Sequence, residues 1–285
     1  MNTQASNLSI QSIAIIGRGK VGQSLTQLFK SIGLSVENIG RDSARQIQSI
    51  KQADLSIICV NDGAIKTVCE QLSNHFKHNS IVIHCSGALD SNELNSAKLN
   101  DCLIASCHPL NTFPNLESSI ARFSNTSHGS YMYAEGQANA LSQLLPLFVT
   151  AGFKTTTIER SAKPLYHAAC VFACNYLTAL MDISLETAEN AGLERDDFWN
   201  SVQPLIQSTL NNISSNGIEN ALSGPIARGD ANTIAKHQES LAIYDPSLSM
   251  HYASLGIRAI EIAQRKGELN EKDINALRKI LEADT

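Results

Sequence analysis

Several things are missing from this chain, and each absence narrows what it can be. There is no surplus of positive charge: 22 Lys and Arg stand against 27 Asp and Glu, for a net charge of −5, and the cations are scattered. Nucleic-acid backbones are held by concentrated positive charge, so no nucleic-acid partner is expected. There is no Cys-x-x-Cys among the seven cysteines, and seven is odd. The expectation is buried, reduced thiols in a cytoplasmic protein, without a disulfide framework. Residues 1–10 lack a basic segment followed by an apolar one, so no signal peptide is expected. Low-complexity tracts and internal repeats are also absent.

A long apolar run is nearly absent as well. Residues 164–181 contain no Asp, Glu, Lys or Arg, but Tyr166, His167, Asn175, Tyr176 and Thr178 interrupt them. A spanning helix needs about 20 mostly apolar residues. The expectation is no membrane span, but a helix buried within the protein or its dimer.

What is present reads as two domains. At 285 residues, 43% of them hydrophobic, the chain is long enough for two cores. Short β-rich runs at 12–16, 34–39, 55–60, 80–85, 102–107, 130–134 and 153–158 alternate with helical segments. That alternation predicts a mostly parallel sheet covered on both faces. Beyond about residue 160 the β signal stops. One long helix is expected over 161–190, capped by Ser161, and another over 196–214, where Pro204 should kink or break it. Asp230 and Asn270 read as N-caps of later helices. The expected domains are 1–160 and 161–285.

The strongest motif is the glycine loop after the first strand, Gly17-Arg18-Gly19-Lys20-Val21-Gly22. Gly17 permits the tight turn, Gly19 lets a pyrophosphate approach the backbone, and Gly22 allows close helix–strand packing. Free N–H groups at the helix start then meet the phosphate charge. At the end of the second strand, an acidic residue would favour NAD by bonding the ribose. The residues there are Gly40-Arg41-Asp42-Ser43. Arg41, with Ser43 adding a hydroxyl and Arg18 flanking, suits a 2′-phosphate, which favours NADP over NAD. Asp42 could instead turn toward the ribose. Val60, Asn61 and Asp62 end the third strand where such a cofactor would cross the sheet.

The next two strands end in His84-Cys85-Ser86-Gly87-Ala88 and Ser106-Cys107-His108-Pro109-Leu110. Ligands gather outside the carboxyl ends of such strands. His108 is the leading candidate acid, since an imidazole titrates near neutrality. Ser86 is placed to position a substrate. Adjacent strand residues point to opposite faces, so these His/Cys pairs do not converge and no metal is expected. On the long helix His167, Val171 and Asn175 fall at steps of four. Arg228 and His237 follow Gly224-Pro225 and complete the candidate set.

Together these segments resemble an uncharacterised oxidoreductase family that joins a Rossmann-like NADP-binding domain to a helical C-terminal domain of unknown function. The resemblance rests on residues 17–22, Val60-Asn61-Asp62, His84 to Ala88, Ser106 to Leu110 with Phe113, Tyr166-His167-Ala168-Ala169 with Asn175, and Gly224 to Asp230 with His237. It implies a C-terminal domain like those of pyrroline-5-carboxylate reductase and 6-phosphogluconate dehydrogenase, and a homodimer formed through it. The β-hydroxyacid dehydrogenases carry a catalytic Lys four residues before the helix Asn. Here that position is Val171, so their proton transfer does not carry over. The His-Pro segment is also similar to one in prephenate dehydrogenases. The resulting expectation is an NADP-dependent reductase or dehydrogenase of a small carbonyl, imine or hydroxy compound. The alternatives are a non-catalytic NADP(H) sensor and a deazaflavin-linked NADP oxidoreductase.

Overall fold

In the computed structural model, residues 9–111 and 130–282 are described; Phe113 lies outside them. Seven strands are present: β1 (Ser12–Ile16), β2 (Ser35–Ile39), β3 (Leu55–Ile58), β4 (Ile81–His84), β5 (Leu103–Leu110), β6 (Ser130–Gly136) and β7 (Phe153–Thr157). They form one sheet in the order β2-β1-β3-β4-β5-β6-β7. All neighbours are parallel except β5 and β6. Helices α1 (Lys20–Ser31), α2 (Ser43–Ile50), α3 (Asp62–Leu72), α4 (Asn95–Lys98) and α5 (Ala138–Thr150) accompany it.

β1, β3 and β4 are apolar at nearly every position because both sheet faces are covered. One face packs Ile13, Ile15, Leu55 and Ile57 against Leu25 and Phe29 of α1 and Leu144, Leu147 and Phe148 of α5. The other packs Ala14, Ile16, Ile58 and Val82 against Ile65, Cys69 and Leu72 of α3. This is a doubly wound, Rossmann-type sheet. The strand order reverses between β1 and β3, which opens a crevice at their carboxyl ends.

The rest of the described chain is helical: α6 (Lys163–Ala173), α7 (Asn175–Asn190), α8 (Arg195–Ala221), α9 (Ala231–Tyr244), α10 (Pro246–Lys266) and α11 (Glu271–Leu281). The chain divides into compact units at 1–172 and 173–285. In the second unit, Ile234, Ala253, Ile260, Ile274, Leu277 and Leu281 make a small core. Asp230 and Asn270 cap α9 and α11 through the N–H groups of Thr233 and Asp273, as expected.

Three helical expectations are corrected. The segment over 161–190 is not one helix: a short 3-10 turn spans Arg160–Ala162, and Cys174 (φ −125°, ψ −62°) separates α6 from α7. Ser161 therefore caps nothing, and the step of four from Val171 to Asn175 crosses a break. Pro204 does not stop α8; it lies on an exposed stretch, where the carbonyl it leaves without an N–H partner can meet water. The interruption of α8 falls instead at Gly217, whose φ of 79° is outside the helical region. No residue of the 18-residue apolar window within Arg160–Asn190 is fully buried either. By length and composition this is the one helical stretch among the described residues that could cross a membrane.

Candidate functional site

The glycine loop joins β1 to α1 with the spacing the sequence implied. Gly17 has φ 120°, and a Cβ there would lie 2.2 Å from the Cys59 carbonyl oxygen. At Gly22 a Cβ would meet the Gly17 carbonyl oxygen at 2.2 Å, so both glycines are required by the protein itself. Gly19 is different: its φ is −68°, and a Cβ there would meet nothing within 4 Å. Nothing in the fold demands glycine at 19, so the open space is a cradle that a side chain would fill. Gly19 is the N-cap of α1, yet no side chain caps that helix. Its first N–H groups point to a place where an anion is stabilised.

Two adjacent clefts flank this loop. One, of 430 Å³, is lined by Gly17, Arg18, Gly19, Gly40, Arg41, Gln46 and residues of the β3 end. Arg18 packs across Gly40, where its Cδ would be 3.5 Å from an added Cβ. Asp42 accepts the Arg45 N–H at 3.1 Å and so caps α2, which engages the carboxylate that could have argued for NAD. Ser43 is the exposed first residue of that helix. The second cleft, of 390 Å³, is lined by Gly19, Lys20, Val21, Val60, Asn61, Asp62, Cys85 and Ser86. The expected cofactor residues other than Gly22 and Ser43 thus border two clefts that share Gly19, Cys59, Val60 and Asn61.

Beyond the second cleft the ends of β4 and β5 meet α6. Ser86 is buried; its hydroxyl donates to Asp62 Oδ2 at 2.7 Å and accepts the Ala88 and Leu89 N–H groups. It holds the loop together, with that hydroxyl already engaged. His108 Nδ1 lies 2.8 Å from the Tyr166 hydroxyl. The His108 and His167 rings sit edge to face, 6.0 Å apart. Both approach Gly87: a Cβ there would lie 2.4 Å from His167 Nδ1 and 3.1 Å from His108 Nε2. His167 Nδ1 is buried and has no hydrogen-bond partner. An orphaned polar atom of this kind is costly unless a ligand satisfies it.

The electrostatics correct one expectation. Burial, followed by the nearby Lys163 and His167, lowers the His108 pKa to about 4. The ring is therefore neutral at neutral pH and has no imidazolium proton to give. Burial pushes the Tyr166 phenol up, reinforced by Cys170, so it keeps its O–H. The bond between the two needs one donor, supplied by the phenol or by the ring N–H.

Three residues were missed in the sequence. Lys163 is 1% exposed, and its ammonium donates to the Ser86 carbonyl at 2.7 Å and to the Ser106 hydroxyl. Burial lowers its pKa. As the cation heading an uncharged stretch, it could have been noticed. Tyr166 lay inside a quoted motif but was given no role. Glu135, buried on β6, accepts the Ser91 N–H and hydroxyl and pairs with Arg160; no local signal marked it. The buried-thiol expectation also needs correction, since Cys174 is exposed and Cys59, Cys85 and Cys170 are half-buried.

Three candidates belong to the helical unit, described by itself. Asn175 is the exposed first residue of α7. Arg228 is exposed in the turn before α9. His237 Nδ1 lies 2.8 Å from the Tyr252 hydroxyl, beside an apolar cavity of 480 Å³ that also involves Leu180, Phe198 and Leu248. Among the described residues, no group of three His, Cys, Asp or Glu is arranged to hold a metal.

The sequence profile of DUF2520, a domain of unknown function, matches residues 130–259. The match covers 130 of the chain's 285 residues. That region runs from β6 into α10 and takes in Lys163, Tyr166 and His167. No curated protein matches the sequence. Among solved structures, protein TM1727 of Thermotoga maritima is 22% identical, with a TM-score of 0.71, covering 90% of this chain and 99% of its own. Protein BF3122 of Bacteroides fragilis is 19% identical, with a TM-score of 0.69, covering 88% and 98%. Pyrroline carboxylate reductase of Plasmodium falciparum, solved with NADP bound, is 11% identical, with a TM-score of 0.55, covering 92% and 98%. At these identities the likeness is one of fold, and it extends from the sheet through the DUF2520 region.

Proposed function

We propose that this chain is an NADP-dependent oxidoreductase that moves hydride to or from a small carbonyl, imine or hydroxy compound. The observation that carries the reading is Gly19, an open position at an uncapped helix start, between two clefts at the sheet's switch point. A fold shared with an NADP-bound reductase supports it. The α1 N–H groups would hold the pyrophosphate, and Arg41 and Arg18 the 2′-phosphate. The dinucleotide, when bound, supplies or accepts the hydride.

The chain's own part is orientation and the proton. The neutral His108–Tyr166 pair offers one N–H or O–H to a substrate heteroatom near Gly87, and the vacant His167 Nδ1 gives that substrate a second contact. Lys163 and Asp62 keep Ser86 and its loop in place. Asn175, Arg228 and His237 are proposed as ligand-contacting residues of the helical domain, 161–285. Homodimerisation through those helices is part of the reading, and it would cover the apolar Arg160–Asn190 stretch without a membrane. Seven free thiols suit the cytoplasm.

An NADPH-oxidation screen over carbonyls and imines tests this reading. A substrate should emerge, and His108→Ala should lower kcat by on the order of 100-fold. Undiminished turnover in that variant removes His108 from the reaction. Tight NADPH binding with no turnover on any substrate would point to a sensor.

A further inference from the structure

β3, β4 and β5 run parallel, with Ile58 opposite His84 and His84 opposite Ser106. One residue further along, the same row reads Cys59, Cys85, Cys107. The first two are half-buried and pack beside the α1–α5 face of the sheet; Cys107 is part of that core and 0% exposed. The Cys59 and Cys85 sulfurs are 3.8 Å apart, and both residues line the 390 Å³ cleft beside Gly19. Neighbouring strands are about 4.8 Å apart, which falls inside the Cα separation that a disulfide accepts.

We propose that Cys59 and Cys85 form a reversible disulfide in the wall of the dinucleotide cleft, with a hydroperoxide as the oxidant. Cys85 loses its thiol proton, and its sulfur attacks the peroxide; the O–O bond breaks, leaving a sulfenic acid and releasing water or an alcohol. The Cys59 sulfur then displaces the sulfenic hydroxyl, which leaves as water with the Cys59 proton. Two S–H bonds are lost, one S–S bond forms, and the peroxide takes up the two electrons. Contact with Cys85, together with burial, pushes the Cys59 thiol up, which suits the resolving partner better than the attacking one. Cys107 is sealed away from any oxidant.

Closing the sulfurs from contact to bonding distance draws the turns after β3 and β4 together, and those turns are the cleft's walls. The consequence for the dinucleotide rests on the function proposed above; the disulfide itself does not.

The test uses the full chain treated with hydrogen peroxide, followed by peptide mapping under non-reducing conditions. A Cys59–Cys85 linked peptide is expected, two hydrogens lighter than the reduced pair and released by dithiothreitol. In Cys59→Ser the link should vanish and Cys85 should trap as sulfenic or sulfinic acid. Protein with native circular dichroism and no such link, or one linked first through Cys107, overturns the proposal. Calorimetry with NADP on reduced and oxidised protein should show at least about tenfold weaker binding after oxidation. Equal binding overturns the effect on the cleft. If reduced protein takes up no NADP, the functional reading fails while the linked peptide still stands.

Discussion

The two units of the chain handle their apolar residues in opposite ways. The sheet unit encloses them: β1, β3 and β4 lie between two layers of helices, and Ile15, Leu25, Phe29, Leu55, Ile57 and Phe148 have no exposed surface. The helical unit leaves many outside. α8 buries none of its residues, and Trp199, Leu205, Leu210, Ile213 and Ile218 along it are exposed. Exposed apolar residues in this number fit the interface proposed above. The difference teaches that the sheet unit covers its own apolar residues, whereas the helical unit leaves uncovered the ones that the proposed homodimer would bury. Breaking that surface should therefore have the largest effect of any change considered. Asp at both Leu205 and Ile213, about two turns apart on α8, should convert a dimer to monomers, with dimer affinity falling at least about thirtyfold. Sedimentation at micromolar concentration reads it out, and a wild-type chain that already sediments as a monomer removes the premise.

The next comparison is internal to the sheet unit. Gly17 and Gly19 look equivalent in the sequence but differ in space. Valine at Gly17 must strike the Cys59 carbonyl and adopt φ 120°, which costs about 1–3 kcal/mol of strain before the clash is counted. A Cβ at Gly19 meets nothing within 4 Å. Gly19→Val should keep the wild-type Tm and lose dinucleotide affinity by on the order of 100-fold, while Gly17→Val should lose both. Thermal melts beside calorimetry separate the two. A Gly19→Val protein that binds NADP normally would show that the cradle is not for phosphate.

How much of this was legible follows from the range of the interactions. The strand–glycine–helix unit was readable because its signal is local: β-rich run, turn residues and helix start are adjacent in the chain. The placement of Ser86 just past β4 was readable for the same reason, whereas the strand expected to stop at 107 runs on to Leu110 and puts His108 inside β5, paired with Tyr133 of the antiparallel β6. The burial of Lys163 was not, because its acceptors are the Ser86 carbonyl and the Ser106 hydroxyl, far away in sequence. The neutral state of His108 depends on the same long-range burial and on Lys163. The break at Cys174 leaves no Pro or Gly to announce it, and the row of cysteines appears only once the strand register is known.

Acid should distinguish the units at an intermediate scale. His84 and His108 have pKa values lowered to about 4, in each case chiefly by burial. In the unfolded chain they titrate at about 6.5. Their native environment favours the neutral form, so the stability it provides is complete above pH 6.5 and declines as the pH falls toward 4. At about 2 kcal/mol each, together they should cost the sheet unit about 4 kcal/mol by pH 5. Asp54 extends the trend lower. Burial alone would raise its pKa, but Lys77, the Gln11 and Ser12 N–H groups and the Ser12 hydroxyl bring it to about 2. Its contribution therefore holds above about pH 4 and is lost as pH falls through 2. Hydrogen exchange should show β4 and β5 losing protection between pH 7 and 5, while α10 and α11 hold theirs. Equal losses in both units would contradict the burial of the two histidines.

The smallest effect concerns two helix caps, one in each unit. Asn270 caps α11 by accepting the Asp273 N–H at 3.0 Å, and Asp42 caps α2 by accepting the Arg45 N–H at 3.1 Å. Either one replaced by Ala should cost about 1 kcal/mol, measured by urea unfolding. Only the second lies beside a cleft, so it also carries information about the cofactor. With one Asp42 oxygen engaged by its own helix, removing the carboxylate should leave NAD affinity changed by less than about threefold. Arg41→Ala is the contrasting variant, expected to weaken NADP by about tenfold with little change for NAD. If Asp42→Ala instead loses NAD binding while α2 stays folded, the carboxylate reaches the ribose after all, and the preference for the 2′-phosphate would have to be given up.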